Sequence, residues 1–128
     1  MYVELRGFAC ARTGGWTASH SDPAPWIQAD LDSVYVLESV TTQGRQDFFE
    51  YTSSYVISYG DNESALIEIS EVYSANWDLN TKVTNELPPD TVGRYVRLHL
   101  RSWFNGPALR WDVKGKMQRK HILLQRYR

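Results

Sequence analysis

A single cysteine, Cys10, stands in the 128 residues, so no intramolecular disulfide and no cysteine-based metal site can form. Alone, it reads as a small apolar side chain rather than a nucleophile. No apolar run approaches the roughly 20 residues that span a bilayer as a helix. Residues 1–12 carry Glu4 and Arg6 and lack the apolar stretch of a secretory leader. Catalytic signatures are missing as well: there is no His-Glu-x-x-His, no phosphate-cradling glycine loop and no nucleophile elbow. Ser19-His20-Ser21-Asp22 has triad residue types, but neighbours on one loop cannot adopt triad geometry. His20, His99 and His121 are scattered and read as surface residues. No catalytic residue, cofactor or metal is expected. The string Asn76-Trp77-Asp78-Leu79-Asn80 is rich in oxygen ligands but lacks the fixed spacing of a calcium loop.

What is present is a globular composition, 42% hydrophobic, 13% aromatic and 23% charged, which excludes a disordered chain and a collagen. The net charge of −1 hides an asymmetry. All 15 acidic residues and eight of the 14 basic ones lie in 1–113, leaving that stretch at −7. Lys114, Lys116, Arg119, Lys120, Arg126 and Arg128 make the remainder +6. An acidic body argues against a nucleic-acid partner, which would demand a basic face on the fold itself. The basic tail reads as a solvated terminus.

Periodicity points to strands. Residues 34–42 are dense in β-branched side chains, and 54–60 place Tyr55, Ile57 and Tyr59 on one face. A turn follows at Gly60-Asp61-Asn62, residue types that tolerate positive φ. Residues 65–72 set Ile67 and Ile69 against Glu68 and Ser70. In 94–100, Val96, Leu98 and Leu100 alternate with Tyr95, Arg97 and His99; in 108–114, Leu109, Trp111 and Val113 do the same. One solvated face per strand means antiparallel pairing. No 3.6-residue pattern appears before residue 115, and short strands between Pro- and Gly-marked turns indicate an all-β sandwich or barrel. Only the tail, with Met117, Ile122, Leu123 and Leu124, has helical potential, a disordered end being the alternative.

Several strings, in order across residues 11–115, together resemble the coagulation factor V/VIII type C domain, also called the discoidin domain. They are Trp26-Ile27-Gln28-Ala29-Asp30-Leu31; Thr42-Gln43-Gly44-Arg45 followed by Thr52-Ser53-Ser54-Tyr55; Asn76-Trp77-Asp78 with Asn80-Thr81 and Asn85; Arg94-Tyr95-Val96-Arg97-Leu98; and Leu109-Arg110 followed by Gly115. The resemblance implies a jelly-roll-like antiparallel β-sandwich or distorted barrel of about eight strands, galactose-binding-domain-like, with ligand-binding loops at one end. It divides the chain into a discoidin-like domain, 1–115, and a basic tail, 116–128. Against the family pattern, the first strand and first protruding loop are expected to be missing, as is the terminal disulfide, Lys116 standing where the closing cysteine is usual. Such a disulfide is typically worth about 2–5 kcal/mol, so marginal stability is expected without it.

The residues themselves support two kinds of site. Asp30 in an apolar strand must be paired, because an isolated buried carboxylate is very costly; Arg94, Arg97 and Arg110 are the candidate partners. Gln43-Gly44 closes a strand and opens a loop, where glycine supplies backbone freedom. The resemblance places Arg45, Gln46, Asp47, Phe48 and Phe49, with the short loop Arg12, Thr13, Gly14 and Gly15, among the family's binding loops. Two adjacent phenylalanines cannot both face inward on a strand, so at least one is exposed. Apolar tips at this end insert into phosphatidylserine membranes in some members and bind collagen, glycans or protein termini in others. Burying two phenylalanines yields roughly 3–6 kcal/mol, whereas micromolar affinity needs about 8. Peripheral membrane contact is therefore expected to be weak.

The sequence thus reads as a non-catalytic extracellular module within a larger protein, taking a cell-surface or matrix phospholipid, glycan or protein. The alternative is a discoidin-type lectin domain in the cytoplasm, using Trp16, Trp77 or Trp103 beside polar loop residues. Asn62-Glu63-Ser64, a glycosylation sequon on an expected turn, favours the extracellular reading.

Overall fold

A computed structural model describes residues 5–6 and 15–117. Cys10, Arg12, Thr13, Gly14, His121 and the helical potential of the tail fall outside the described residues. These form nine strands and no helix: β1 Leu5–Arg6, β2 Trp16–Thr17, β3 Trp26–Gln43, β4 Tyr51–Gly60, β5 Ile67–Glu68, β6 Tyr73–Ser74, β7 Val83–Glu86, β8 Val92–Phe104 and β9 Ala108–Met117. Every pairing is antiparallel. The order is β2-β9-β3-β8-β4-β5, with β1 and β7 also on β3 and β6 on β4.

The 18-residue strand β3 organises the molecule. Its residues 26–30 pair with β8, whereas 35–43 pair chiefly with β9 and β7. The register shifts between Asp30 and Tyr35, and Asp32 adopts a φ of 65°. Aspartate adopts this left-handed conformation more readily than most residues, and the Asp32 amide is held by the Asp30 side chain, donating to its Oδ1 at 2.9 Å. The bend turns one open sheet back on itself into two facing layers. Ile27, Ala29, Leu98 and Ile57 from one layer pack with Val40, Leu109, Trp111 and Val113 from the other. Tyr55 is fully buried, stacks on Tyr73 and accepts a hydrogen bond from Asn85 Nδ2 at 3.0 Å. Burial pushes its hydroxyl up to about 12, against the opposing effect of the Asn85 bond.

Alternation in β8 and β9 corresponds to burial: Val96, Leu98, Leu100, Leu109, Trp111 and Val113 are all core. The 65–72 segment departs from expectation. Ile67 and Glu68 pair with β4 at the sheet edge and Ile69 N donates to Ile57 O at 2.8 Å; Ile67 and Val72 are exposed, while Ile69 packs against the core. The turn after Gly60 forms without positive φ; among non-glycine residues that conformation falls at Asp32, Asp90 and Asn105.

Candidate functional site

Four connections gather at one end of the sandwich: 18–22, 44–50, 76–80 and 104–107. The 44–50 loop joins β3 to β4 and is knitted by its own backbone, Arg45 N donating to Glu50 O at 2.9 Å and Glu50 N to Phe48 O at 2.7 Å. Glu50 is buried yet fully engaged: Arg45 Nη1 donates to Oε1 at 3.0 Å, and His20 Nε2 lies 3.1 Å from Oε2. A buried carboxylate is tolerable when paired and hydrogen-bonded in this way. Arg45 also donates through Nε to Asp47 at 2.9 Å, and its pKa is raised, chiefly by the Glu50 bond.

This frame leaves the loop tip outside. Phe48 and Phe49 are 60% and 56% exposed. The Arg45 guanidinium lies 4.7 Å from the Phe48 ring centroid. Phe49 meets Phe104 edge-on at 5.3 Å, and Phe104 stacks on Tyr51 at 5.4 Å. Asn105 Nδ2 donates to the Phe49 carbonyl at 3.0 Å, fastening the β8–β9 hairpin to the tip. The result is a bank of aromatic faces rimmed by the exposed Gln46, Asp47, His20 and Asn105.

Beneath it, Arg110 Nε donates to the Gly44 carbonyl, while its Nη2 reaches Leu79 O at 2.7 Å and Asn80 Oδ1 at 3.0 Å. Gly15, at φ 95°, sits against the same side chain: a Cβ there would lie 2.6 Å from Arg110 Cγ. Trp77, 62% exposed, projects from the 76–80 connection. Asp78 accepts from Thr81 N and Oγ1 at 2.9 and 2.6 Å, bonds that hold its carboxyl below the ordinary range. Asn76 is buried, and its Nδ2 donates to Thr42 O and Thr81 O. This oxygen-rich string closes a turn with its own carboxylate.

The three arginines proposed for Asp30 separate. Arg94 grips it through two bonds, Nε to Oδ1 at 2.8 Å and Nη2 to Oδ2 at 3.0 Å. Arg97 instead donates to Gln28 Oε1 and covers the Trp26 ring at 4.1 Å, and Arg110 serves the loop end. Among the tryptophans, Trp16 and Trp111 are buried and Trp103 is half-buried. His20, Phe104 and Asn105 are the members of the loop end that sequence reasoning missed. Their contacts cross 30 residues or more, and no local pattern announces them.

The F5/8 type C domain model matches residues 8–113. Coagulation factor VIII of Canis lupus familiaris is 34% identical over 111 residues, covering 81% of this chain and 5% of its own length. Discoidin II of Dictyostelium discoideum superposes with a TM-score of 0.73 at 30% identity, covering 82% of this chain and 42% of that one. A Clostridium perfringens family 32 carbohydrate-binding module, solved with GalNAc-β-1,3-galactose, shares the fold at a TM-score of 0.64 and 17% identity, covering 77% of this chain and 73% of its own. The chain therefore spans only a small part of that factor VIII and less than half of discoidin II. These matches mark a ligand-binding module rather than a catalytic domain.

Proposed function

The chain belongs to the F5/8 type C, or discoidin, family, and from that premise we propose that it is an extracellular adhesion module of a larger protein, binding a cell-surface or matrix ligand through the Phe48–Phe49 end. One observation carries the reading: two adjacent phenylalanines, each more than half exposed, stand on a loop held rigid by a buried and fully bonded Glu50. Rigid aromatic tips contribute contact area at little ordering cost, which is what a recognition surface needs.

The ligand class follows from charge. Arg45 faces two carboxylates, Asp47 and Glu50, so its charge is balanced within the loop and little is left for an anionic leaflet. This favours a neutral glycan or a protein over phosphatidylserine. A glycan is further supported by the aromatic faces of Phe49 and Phe104 beside His20, Gln46 and Asn105, a pairing of ring and polar groups suited to sugars.

The test pairs a glycan array and a matrix-protein panel with phosphatidylserine liposomes at physiological salt. Phe48→Ala with Phe49→Ala is expected to abolish glycan or protein binding while lowering stability by only about 1 kcal/mol, the edge contacts of Phe49 accounting for most of that. Binding that survives the double substitution, or sub-micromolar liposome binding, would overturn the reading.

A further inference from the structure

We propose that Asn62 is an N-glycosylation site placed at the end of the sandwich remote from the ligand loops; the proposal rests on the extracellular reading above, since the modification belongs to the secretory pathway. Asn62-Glu63-Ser64 satisfies the acceptor pattern, and the structure supplies the context a bare motif lacks. After β4 ends at Gly60, residues 61–65 are all exposed. Ala65 N donates to Asn62 O at 3.0 Å and closes the turn. Ser64 N donates to Asn62 Oδ1 at 2.9 Å, occupying the carboxamide oxygen. The carboxamide nitrogen, the atom that would be glycosylated, makes no hydrogen bond among the described residues. Glu63, the middle residue, accepts from Gln28 Nε2 at 3.0 Å and so is tied to β3. Neither the Asn62 nor the Ser64 side chain contributes to the core, so the fold tolerates a sugar here.

In the transfer, Asn62 Nδ2 bonds to the anomeric carbon of an oligosaccharide donor activated as a lipid pyrophosphate. The carbon–oxygen bond to the pyrophosphate breaks, the nitrogen loses a proton and the lipid pyrophosphate leaves.

Placement matters as much as exposure. Loop 44–50 enters β4 at Tyr51 and the sequon follows its last residue, Gly60. Ten residues of strand at about 3.3 Å each separate the two by about 30 Å. A glycan at Asn62 would shield that turn and its exposed neighbour Ile67 and leave Phe48 and Phe49 uncovered.

The chain, secreted from a eukaryotic host, is expected to show a single mobility shift that PNGase F removes, with Asn62 read as aspartate by mass spectrometry afterwards. Asn62→Gln and Ser64→Ala each abolish the shift, and Asn62→Gln leaves loop-end binding unchanged. Poor secretion does not block the test, because translation into microsomes gives the same readout. A wild-type chain that stays unshifted where a control sequon is modified would overturn the proposal. An unmodified chain that still binds through Phe48 and Phe49 would remove this site alone. A glycosylated chain that binds nothing would remove the ligand reading instead.

Discussion

Arg110 holds the carbonyl of Gly44 with its Nε at 2.8 Å, and this bond fastens the 44–50 loop to the sheet. The same guanidinium spans to Leu79 and Asn80, so one side chain on β9 fixes two of the four connections at the loop end. Arginine suits the task because its donors form a fixed fork, which lysine cannot reproduce.

Arg110→Ala is therefore expected to lower unfolding stability by about 2 kcal/mol, the scale of charge-assisted hydrogen bonds to partly buried acceptors. Ligand binding should weaken as well, although Arg110 lies beneath the aromatic bank rather than in it. Arg110→Lys should recover only part of either effect. Urea unfolding with a parallel binding titration checks this; an unchanged midpoint in the alanine variant contradicts the anchoring role.

Gly44 is required by proximity. A Cβ there would stand 2.6 Å from the Asp78 carbonyl oxygen and 2.8 Å from Leu79 Cα, both backbone atoms that cannot yield cheaply. Gly44→Ala should force loops 44–50 and 76–80 apart, at about 1–3 kcal/mol, the usual range for overpacking. Thermal unfolding measures the loss, and a variant as stable as wild type would show that the two loops separate freely.

His99 lends the fold an acid sensitivity. Its pKa is lowered, first by burial and then by Arg97 and Arg101, with Glu68 opposing, and its Nε2 lies 3.0 Å from Ser58 Oγ. The unfolded chain therefore takes up this proton before the folded one does. The His99 contribution is intact above the unfolded value of 6.5 and is lost as pH falls from there through the depressed folded value. His99→Gln should flatten the stability profile in that window relative to wild type. Two profiles that stay parallel below pH 6.5 would rule this out.

Strands whose two faces meet different surroundings were legible in the residue pattern. Val96, Leu98 and Leu100 alternate because one side of β8 is core. β7 was not legible: Val83-Thr84-Asn85-Glu86 has little apolar content and owes its pairing to β3. The length of β3 was hidden as well, because its bend falls on Asp32 and Ser33, which read locally as a break. At the candidate site, adjacent aromatics announced the loop tip. The supports from His20, Asn105 and Arg110 come from distant stretches and become visible only once the layers are folded together. From sequence, Gly44 reads as a source of backbone freedom where a strand ends, whereas its neighbours show that a lack of bulk is what the position demands.

The sharing of β3 between both layers has a mechanical side. Neither layer can peel away while that strand keeps its bonds to the other, so the fold should fail as one unit rather than piecemeal. Tension that reaches β3 would load both layers together, so the aromatic end should keep its shape until the two let go.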